Sequence, residues 1–194
     1  MEYFAVILFA ITSYATPGPN NTMIMTSGLN YGIQRSLPHY LGIILGFPTM
    51  VIAVGLGLAT LFDQIPLFHV LLKITGAIYL TFLAWRIATA PVSELSAVDG
   101  KPFTFIQAAA FQWINPKAWV MAVVAMSTYT TVGNFYLNVF IVTFAFCVVN
   151  FPSVSVWAGF GMAMRRFLSD PVVLKVFNGV MATTLILSLW PMLR

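Results

Sequence analysis

The sequence predicts an all-α polytopic membrane protein with about six transmembrane helices. Of its 194 residues, 60% are hydrophobic and only 7% are charged, whereas a soluble domain carries nearer a quarter charged residues. A surface so poor in charge cannot face water on all sides, so most of it is expected to face lipid. A membrane-spanning helix needs about 20 apolar residues, so this length allows about six helices and no separate soluble domain.

Apolar segments follow one another along the chain, and short stretches rich in proline, glycine and polar residues separate them. Apolar runs of this length are typical of transmembrane helices. The predicted helices are 3–27, 38–61, 66–89, 103–128, 135–163 and 171–193. Residues 1–194 are accordingly expected to form a single transmembrane domain.

Basic residues in the predicted loops indicate how the protein is oriented. Arg35 lies in the first loop, and Arg86 and Lys101 flank the third. Arg165 and Arg166 follow the fifth helix. Cytoplasmic loops carry the excess of lysine and arginine, so these loops are expected to face the cytoplasm and both termini the periplasm of a bacterial inner (plasma) membrane. The basic residues form no run of the kind that binds nucleic acid.

The two halves of the chain, approximately 1–95 and 96–194, share a sequence pattern. Residues 47–59 contain, in order, Phe-Pro, a hydroxyl residue, two glycines and an alanine. Residues 151–163 contain the same residue types at identical spacing. Halves of three helices each must lie in opposite orientations, because three is odd. The pattern therefore predicts two inverted three-helix repeats, with the substrate site near the midplane where they meet. Chance similarity between apolar segments is the alternative.

The first predicted helix is interrupted by Pro17, Gly18, Pro19, Asn20 and Asn21. Two prolines remove two backbone donors and free carbonyl groups upstream, which lipid cannot satisfy. Such a break is tolerated only where it faces protein or a water-filled cavity, and the two asparagines add polar groups there. The segment is therefore a candidate for a substrate pathway; a kink stabilised by neighbouring helices is the structural alternative.

A second interruption, Asn115-Pro116-Lys117, lies in the fourth predicted helix. Counted from Phe103, Lys117 lies about 20 Å into the membrane at 1.5 Å per residue. An ammonium group at that depth is costly unless it is paired or hydrated, and no Asp or Glu lies inside a predicted helix. Lys117 could pair with carbonyl groups freed by the prolines, with a substrate carboxylate or with water, and the sequence leaves these open.

Glycines at helical spacing predict close helix packing. Gly42 and Gly46, with Gly55 and Gly57 further along, form a face of small residues in the second predicted helix. Such faces let helix backbones approach closely. They also permit a homo-oligomer without requiring one.

Several patterns that would indicate an enzyme or a pump are missing from the sequence. It has no cluster of metal-ligating residues, no glycine-rich phosphate loop followed by Lys-Ser/Thr, and no set of Ser, His and Asp in a paired polar context. We therefore expect no enzymatic activity, no bound metal and no cofactor. His39 and His69 lie close to predicted helix ends, where a lone histidine is more often a hydrogen-bonding anchor than a proton carrier.

The motifs resemble those of the LysE/RhtB family of amino-acid exporters over almost the full length of the chain. The motifs that carry the resemblance are Thr-Pro-Gly-Pro-Asn at 16–20, the glycine series Gly28, Gly32, Gly42 and Gly46, Gly-Ala-Ile-Tyr-Leu at 76–80, Ala-Trp-Arg at 84–86, and Asn-Pro-Lys at 115–117. Within the family, 83–89 and the following Lys101-Pro102 are similar to the cysteine/O-acetylserine exporter branch.

The resemblance implies a secondary transporter that exports small amino acids or their derivatives, driven by an ion gradient through proton antiport. It assigns the pathway to Pro17, Gly18, Pro19, Asn20, Asn115, Pro116 and Lys117. Relatives that resemble the lysine and arginine exporters often carry an acidic residue after the second-helix glycine pair, whereas Phe47 and Pro48 follow Gly46 here. This departure argues for a neutral substrate and leaves the proton carrier unidentified.

These observations predict alternating access between the two halves, with the substrate carboxylate at Lys117 and its ammonium group at carbonyls near Pro17 and Pro19. The expected partners are an amino-acid substrate and the lipid bilayer. Two other classes of protein remain open. A non-transporting scaffold or accessory subunit would have tightly packed, dry helix breaks. An intramembrane enzyme would need a paired acid and base at similar depth, which the sequence does not offer.

Overall fold

The computed structural model describes residues 3–58, 66–89, 101–130, 134–164 and 170–187, and its secondary-structure elements there are all helical. This agrees with the predicted all-α fold class. A π-helical turn, Val54–Leu58, extends the second helix. The helices are α1 Tyr3–Ala15, α2 Pro19–Ala53, α3 Pro66–Ala88, α4 Phe105–Gln112, α5 Pro116–Tyr129, α6 Phe135–Met164 and α7 Pro171–Leu187.

Both helix breaks that the prolines predict are present. α1 ends at Ala15 and α2 begins at Pro19; α4 ends at Gln112 and α5 begins at Pro116. In each case a proline occupies the first turn of the new helix. Proline fits there because its fixed φ suits a helix and the amide hydrogen that it lacks would have no partner within the helix.

The loop predicted at 28–37 is wrong in extent, because α2 continues through this segment. Only Gly32 leaves the helical conformation, with φ 74° and ψ 171°. This left-handed region favours glycine, which has no Cβ. Gly32 therefore divides α2 into a first arm, 19–31, and a second arm, 33–53. His39, expected near a helix end, is instead buried in the second arm, where its Nδ1 lies 2.8 Å from Ser27 Oγ of the first.

One face of α6 presents apolar side chains outward along the helix. Tyr136, Phe140, Phe144 and Val148 are exposed at intervals of four residues, so they lie on the same side. The exposed face continues at Val156 and beyond. A continuous apolar stripe of this length suits contact with lipid and not with water.

Two helical segments in the described residues are long and apolar enough to cross a membrane. They are Pro19–Gly57, which includes the bend at Gly32, and Phe135–Met164. At 1.5 Å per residue, the 30 residues of α6 extend about 45 Å, against a hydrocarbon thickness of about 30 Å. Six transmembrane segments in two inverted repeats remain a prediction.

Glycines allow α2 to approach two other helices closely. A Cβ added to Gly161 of α6 would clash with the carbonyl of Met25 in the first arm. In the second arm, a Cβ on Gly42 would lie 2.5 Å from the carbonyl O of Phe105, and one on Gly46 would lie 2.7 Å from Ala109 Cα. The predicted packing role of Gly42 and Gly46 is therefore confirmed, with α4 as the partner.

The other two glycines of the predicted face behave differently from each other. Gly55 packs against Met126 and Val139, where a Cβ would lie 2.9 Å from the side-chain atoms of both. Gly57 instead lies in the π turn with φ 110°, and a Cβ there would meet nothing within 4 Å. The prediction that Gly57 takes part in close helix packing is therefore wrong.

The sequence repeat between 47–59 and 151–163 is only partly reflected in the side-chain environments. Pro48 and Pro152 both lie inside long helices. Phe47 is buried, however, whereas Phe151 is exposed. The ends predicted at residues 61 and 193 lie outside the described residues, as do the loop residues Asp63, Arg165 and Arg166 and the side chains of His69, Lys73 and Arg86.

The largest buried apolar cluster surrounds the first helix break. It joins α1, the end of α2, α5 and α6 through Tyr14, Phe47, Ala122 and Phe146. The α3–α7 pair packs against the first arm in a cluster that includes Met23. The helix breaks thus lie beside packed apolar clusters: Gly18 and Asn115 are buried, whereas Thr16 and Pro17 are exposed.

Candidate functional site

The two helix breaks begin their second helices in the same way. Gly18 and Asn115 are the N-cap residues, and both have extended backbone. A proline follows each, so Asn20 and Lys117 occupy the same position, two residues after the cap. The first and fourth predicted helices both have an Asn/Pro interruption, and the structure aligns the two residue by residue.

The side chain two residues after each cap reaches across to the other break. Asn20 Nδ2 donates to Gln112 Oε1 at 2.7 Å, and Gln112 Nε2 donates back to Asn20 Oδ1 at 3.1 Å. Gln112 is fully buried and also donates to the carbonyl O of Ala108 at 2.9 Å. This reciprocal amide pair ties the start of α2 to the end of α4.

Double substitution should reveal energetic coupling between Asn20 and Gln112. Each single change to alanine is expected to destabilise the protein by about 1–3 kcal/mol, because it leaves a polar partner unpaired near the core. The double variant should lose less than the sum, with a coupling of roughly 1 kcal/mol or more. Thermal unfolding of the four proteins in detergent measures this coupling. If the losses of the two single variants simply add in the double variant, the coupling energy between Asn20 and Gln112 is zero.

Lys117, of the second break, in turn contacts a residue of the first break. Its Nζ donates to the carbonyl O and to Oγ1 of Thr16, both at 2.7 Å. The side chain lies directly over Gly18, where an added Cβ would come within 2.8 Å of Lys117 Cδ. Of the partners that the sequence left open for Lys117, the one present in this structure is therefore a carbonyl group at the proline break.

Side chains of other helices donate hydrogen bonds to the carbonyl groups at the end of α1. Asn21 Nδ2 donates to the carbonyl O of Tyr14 at 2.8 Å and of Thr16 at 3.1 Å. Ser153 Oγ of α6 also donates to the Tyr14 carbonyl, at 3.4 Å. Asn115 Oδ1 accepts from the backbone N–H of Lys117 at 3.1 Å and so caps α5. Polar side chains thus satisfy carbonyl groups that the break leaves without helical partners.

A cavity of about 290 Å³, partly open to the outside, lies between the two breaks. Its lining is partly apolar and partly polar. The apolar part consists of residues of the largest buried cluster: Tyr14, Phe47, Ala118 and Met121. The remaining lining residues are Ser13, Gly18, Asn20, Asn21, Asn115 and Lys117.

Five of the eight predicted site residues therefore line one cavity: Gly18, Asn20, Asn21, Asn115 and Lys117. The other three are prolines that shape the breaks. Pro19 and Pro116 start α2 and α5, and Pro17 precedes the first cap and is exposed.

Sequence reasoning missed Thr16, Gln112 and Tyr14 as parts of this site. Gln112 carried a usable signal, because an uncharged polar residue in an apolar helix three residues before Asn115 needs a partner. Thr16 belongs to the Thr-Pro-Gly-Pro-Asn motif at 16–20, but its contact with Lys117 depends on tertiary structure. Tyr14 has no distinguishing pattern in the sequence.

The cavity has a positively charged group and no described negative one. Asp170 is the only acidic residue in the described ranges, and its Oδ1 caps α7 by accepting from the N–H of Val172 at 2.7 Å. Lys117 is half-buried and bonded to neutral oxygens only, so it suits an incoming anionic group.

Residues 11–188 match the model of a family described as LysE type translocators. The chain belongs to this family. The match includes both helix breaks and the cavity between them. Members of the LysE family are membrane proteins that work as translocators and not as enzymes, so the resemblance seen in the motifs is confirmed.

The LysE family relatives include proteins named cysteine/O-acetylserine efflux protein, from Escherichia coli (strain K12) and Shigella flexneri. Each is 33% identical to the chain over 122 residues. The aligned part makes up 62% of this chain and 62% of each relative. No solved structure matches the chain.

Proposed function

We propose that this protein is a secondary transporter that exports small neutral amino acids or their derivatives across a bacterial inner membrane. Membership of the LysE family and the names of the relatives support export of this class of solute. The observation on which the proposal chiefly depends is Lys117, a cation that lines the cavity between the helix breaks and whose ammonium group, within the described part of the chain, donates to Thr16.

In the proposed mechanism, the substrate carboxylate replaces Thr16 as the partner of Lys117. The carboxylate is the better partner because it brings a full negative charge to the ammonium group, whereas the Thr16 oxygens are neutral. The substrate ammonium then meets the carbonyl group of Thr16, which Lys117 has released, just beyond the end of α1, where the helix dipole is negative. The enclosed part of the cavity is small, which favours a small amino acid over a large one.

Transport would proceed by alternating access between inverted halves 1–95 and 96–194. Each helix break belongs to one half, and the contacts of Asn20 with Gln112 and of Lys117 with Thr16 join the halves at the cavity. Substrate sites of transporters with inverted repeats lie at such junctions between discontinuous helices. Proton antiport is the coupling that we propose, with both termini in the periplasm.

The polar cavity favours this function over that of a scaffold or accessory subunit. A scaffold would gain stability from breaks packed without space, whereas here five polar or charged side chains surround an open volume at the breaks. They are Ser13, Asn20, Asn21, Asn115 and Lys117.

Export of a labelled amino-acid panel from cells that express the protein tests the proposal. We expect export of small neutral members such as alanine, serine and cysteine, and little export of lysine or arginine, whose extra cation would meet Lys117. Collapse of the proton gradient should reduce export of the neutral members. Absence of export for the whole panel, with the protein verified in the membrane, would contradict the proposed function.

A further inference from the structure

Gln112 lies behind the cavity wall and is bonded to Asn20, which forms part of that wall. Asn20 is half-buried and lines the cavity, whereas Gln112 is fully buried and does not line it. A buried side-chain amide is costly unless its donors and its acceptor are satisfied. Gln112 therefore depends on its partners, and Asn20 is the partner through which it can influence the substrate site.

The backbone fixes the orientation of the Gln112 amide. Its Nε2 donates to the carbonyl O of Ala108 at 2.9 Å. A carbonyl oxygen can only accept hydrogen bonds, so the nitrogen and not the oxygen of this amide must face Ala108. Nε2 also donates to Asn20 Oδ1 at 3.1 Å, and Oε1 accepts from Asn20 Nδ2 at 2.7 Å.

Gln112 passes this orientation on to Asn20. If the Asn20 amide turned over, its oxygen would face Gln112 Oε1 and its nitrogen would face Gln112 Nε2, so both hydrogen bonds would be lost. An amide group is planar, and two bonds to one partner hold that plane. The donor and acceptor capacity that Asn20 keeps for a ligand therefore has a fixed direction.

Within the described part of the chain, both side-chain hydrogen bonds of Asn20 are to Gln112. Without Gln112, the Asn20 side chain could adopt either amide orientation and other rotamers beside the cavity. Binding of a substrate would then have to order this side chain. A pre-organised site avoids that loss of conformational entropy.

We propose that Gln112 is a positioning residue of the substrate site, which holds the Asn20 amide in the orientation in which this group hydrogen-bonds the substrate. Gln112 acts through Asn20 and does not touch the substrate itself. The inference rests on the proposed function, in which the cavity binds an amino acid, and adds a residue outside the cavity on which the affinity depends.

Equilibrium binding of labelled serine to the purified protein in detergent tests this role. Gln112→Met keeps a side chain of similar length without the amide, and should raise the Kd roughly two- to tenfold, the loss expected when one side chain must be ordered on binding. Gln112→Asn keeps the amide but is one methylene shorter, so it should lose both bonds to Asn20 and weaken binding in the same way. The second variant separates loss of the pair from loss of a polar group in the core.

The same substitution in an Asn20→Ala background shows whether Gln112 acts through Asn20. Asn20→Ala alone should weaken serine binding, because it removes the amide that is proposed to meet the substrate. Gln112→Met should then raise the Kd no further. A general structural role of Gln112 would instead raise the Kd by the same factor in both backgrounds.

Gln107→Met is the matched control. Gln107 is exposed on the same helix, α4, and its Oε1 accepts from the backbone N–H of Thr104 at 3.0 Å. The substitution therefore removes an amide and a hydrogen bond from α4, but it leaves the cavity lining and Asn20 unchanged. The Kd for serine should stay within about twofold of the wild type. The unfolding midpoint in detergent, measured for every variant, reports whether each one is folded.

The possible outcomes separate this inference from the proposed function. An unchanged Kd in Gln112→Met and Gln112→Asn, an unchanged Kd in Asn20→Ala, or an equal effect of Gln112→Met in both backgrounds would each overturn the positioning role while leaving the proposed function intact. A wild-type protein that neither binds nor exports any member of the amino-acid panel would overturn the proposed function, and this inference with it.

Discussion

Replacement of Lys117 by alanine should reduce amino-acid export about tenfold or more. The variant lacks the cation that is proposed to hold the substrate carboxylate, and a charge-assisted hydrogen bond contributes about 1.5–3 kcal/mol. It also frees Thr16, whose carbonyl and hydroxyl accept from Lys117 in the substrate-free structure. Export of labelled serine from cells with matched amounts of membrane protein measures the effect.

Lys175→Ala provides the control for this prediction. Lys175 is exposed on α7 and does not line the cavity, so its loss removes the same charge from the chain without touching the site. Export by Lys175→Ala should remain near that of the wild type. If Lys117→Ala exported serine as well as Lys175→Ala does, Lys117 would have no part in substrate binding.

Gly161→Ala should be the most damaging of the conservative substitutions in α6. A methyl group there collides with the carbonyl of Met25, a backbone atom that cannot move without separating α6 from the first arm of α2. Overpacking of this kind costs about 1–3 kcal/mol and occasionally more. The unfolding midpoint in detergent should fall by roughly 2–12 °C for a chain of this length.

Gly159→Ala is the matched control, two residues earlier on the same helix. A Cβ at Gly159 meets nothing within 4 Å, so the substitution adds no clash. Alanine is favoured over glycine inside a helix by roughly 0.5–1 kcal/mol, so the midpoint should stay level or rise slightly. Equal losses in the two variants would show that the effect comes from glycine replacement in general and not from contact with α2.

The sequence predicted the helix breaks well because their causes are local. Proline lacks the amide hydrogen and fixes its own φ, so Pro19 and Pro116 mark helix starts without reference to the rest of the fold. The partial burial of Asn20 and Lys117 against other helices likewise followed from the cost of polar groups in lipid. Five of the predicted site residues consequently lie around one cavity.

What the sequence could not supply depends on contacts between distant residues. The partnership of Asn20 with Gln112 joins residues 92 positions apart, and nothing local indicates which residue is the partner of the other. The orientation of the Asn20 amide is likewise visible only once Ala108 and Gln112 are placed. The segment 28–37 was misjudged because a glycine among polar residues suggests a loop, whereas a single left-handed residue, Gly32, was sufficient to bend an otherwise continuous helix.

The position of the Lys117 side chain over Gly18 ties the evolution of two distant positions together. The aliphatic part of the lysine occupies the space that any side chain at position 18 would need. A larger residue can therefore be accommodated at position 18 only if residue 117 is shortened or turned away from Thr16. The glycine of the first break is thus constrained by a partner 99 residues further along the chain and not by its own extended backbone, and the two positions should vary jointly or not at all.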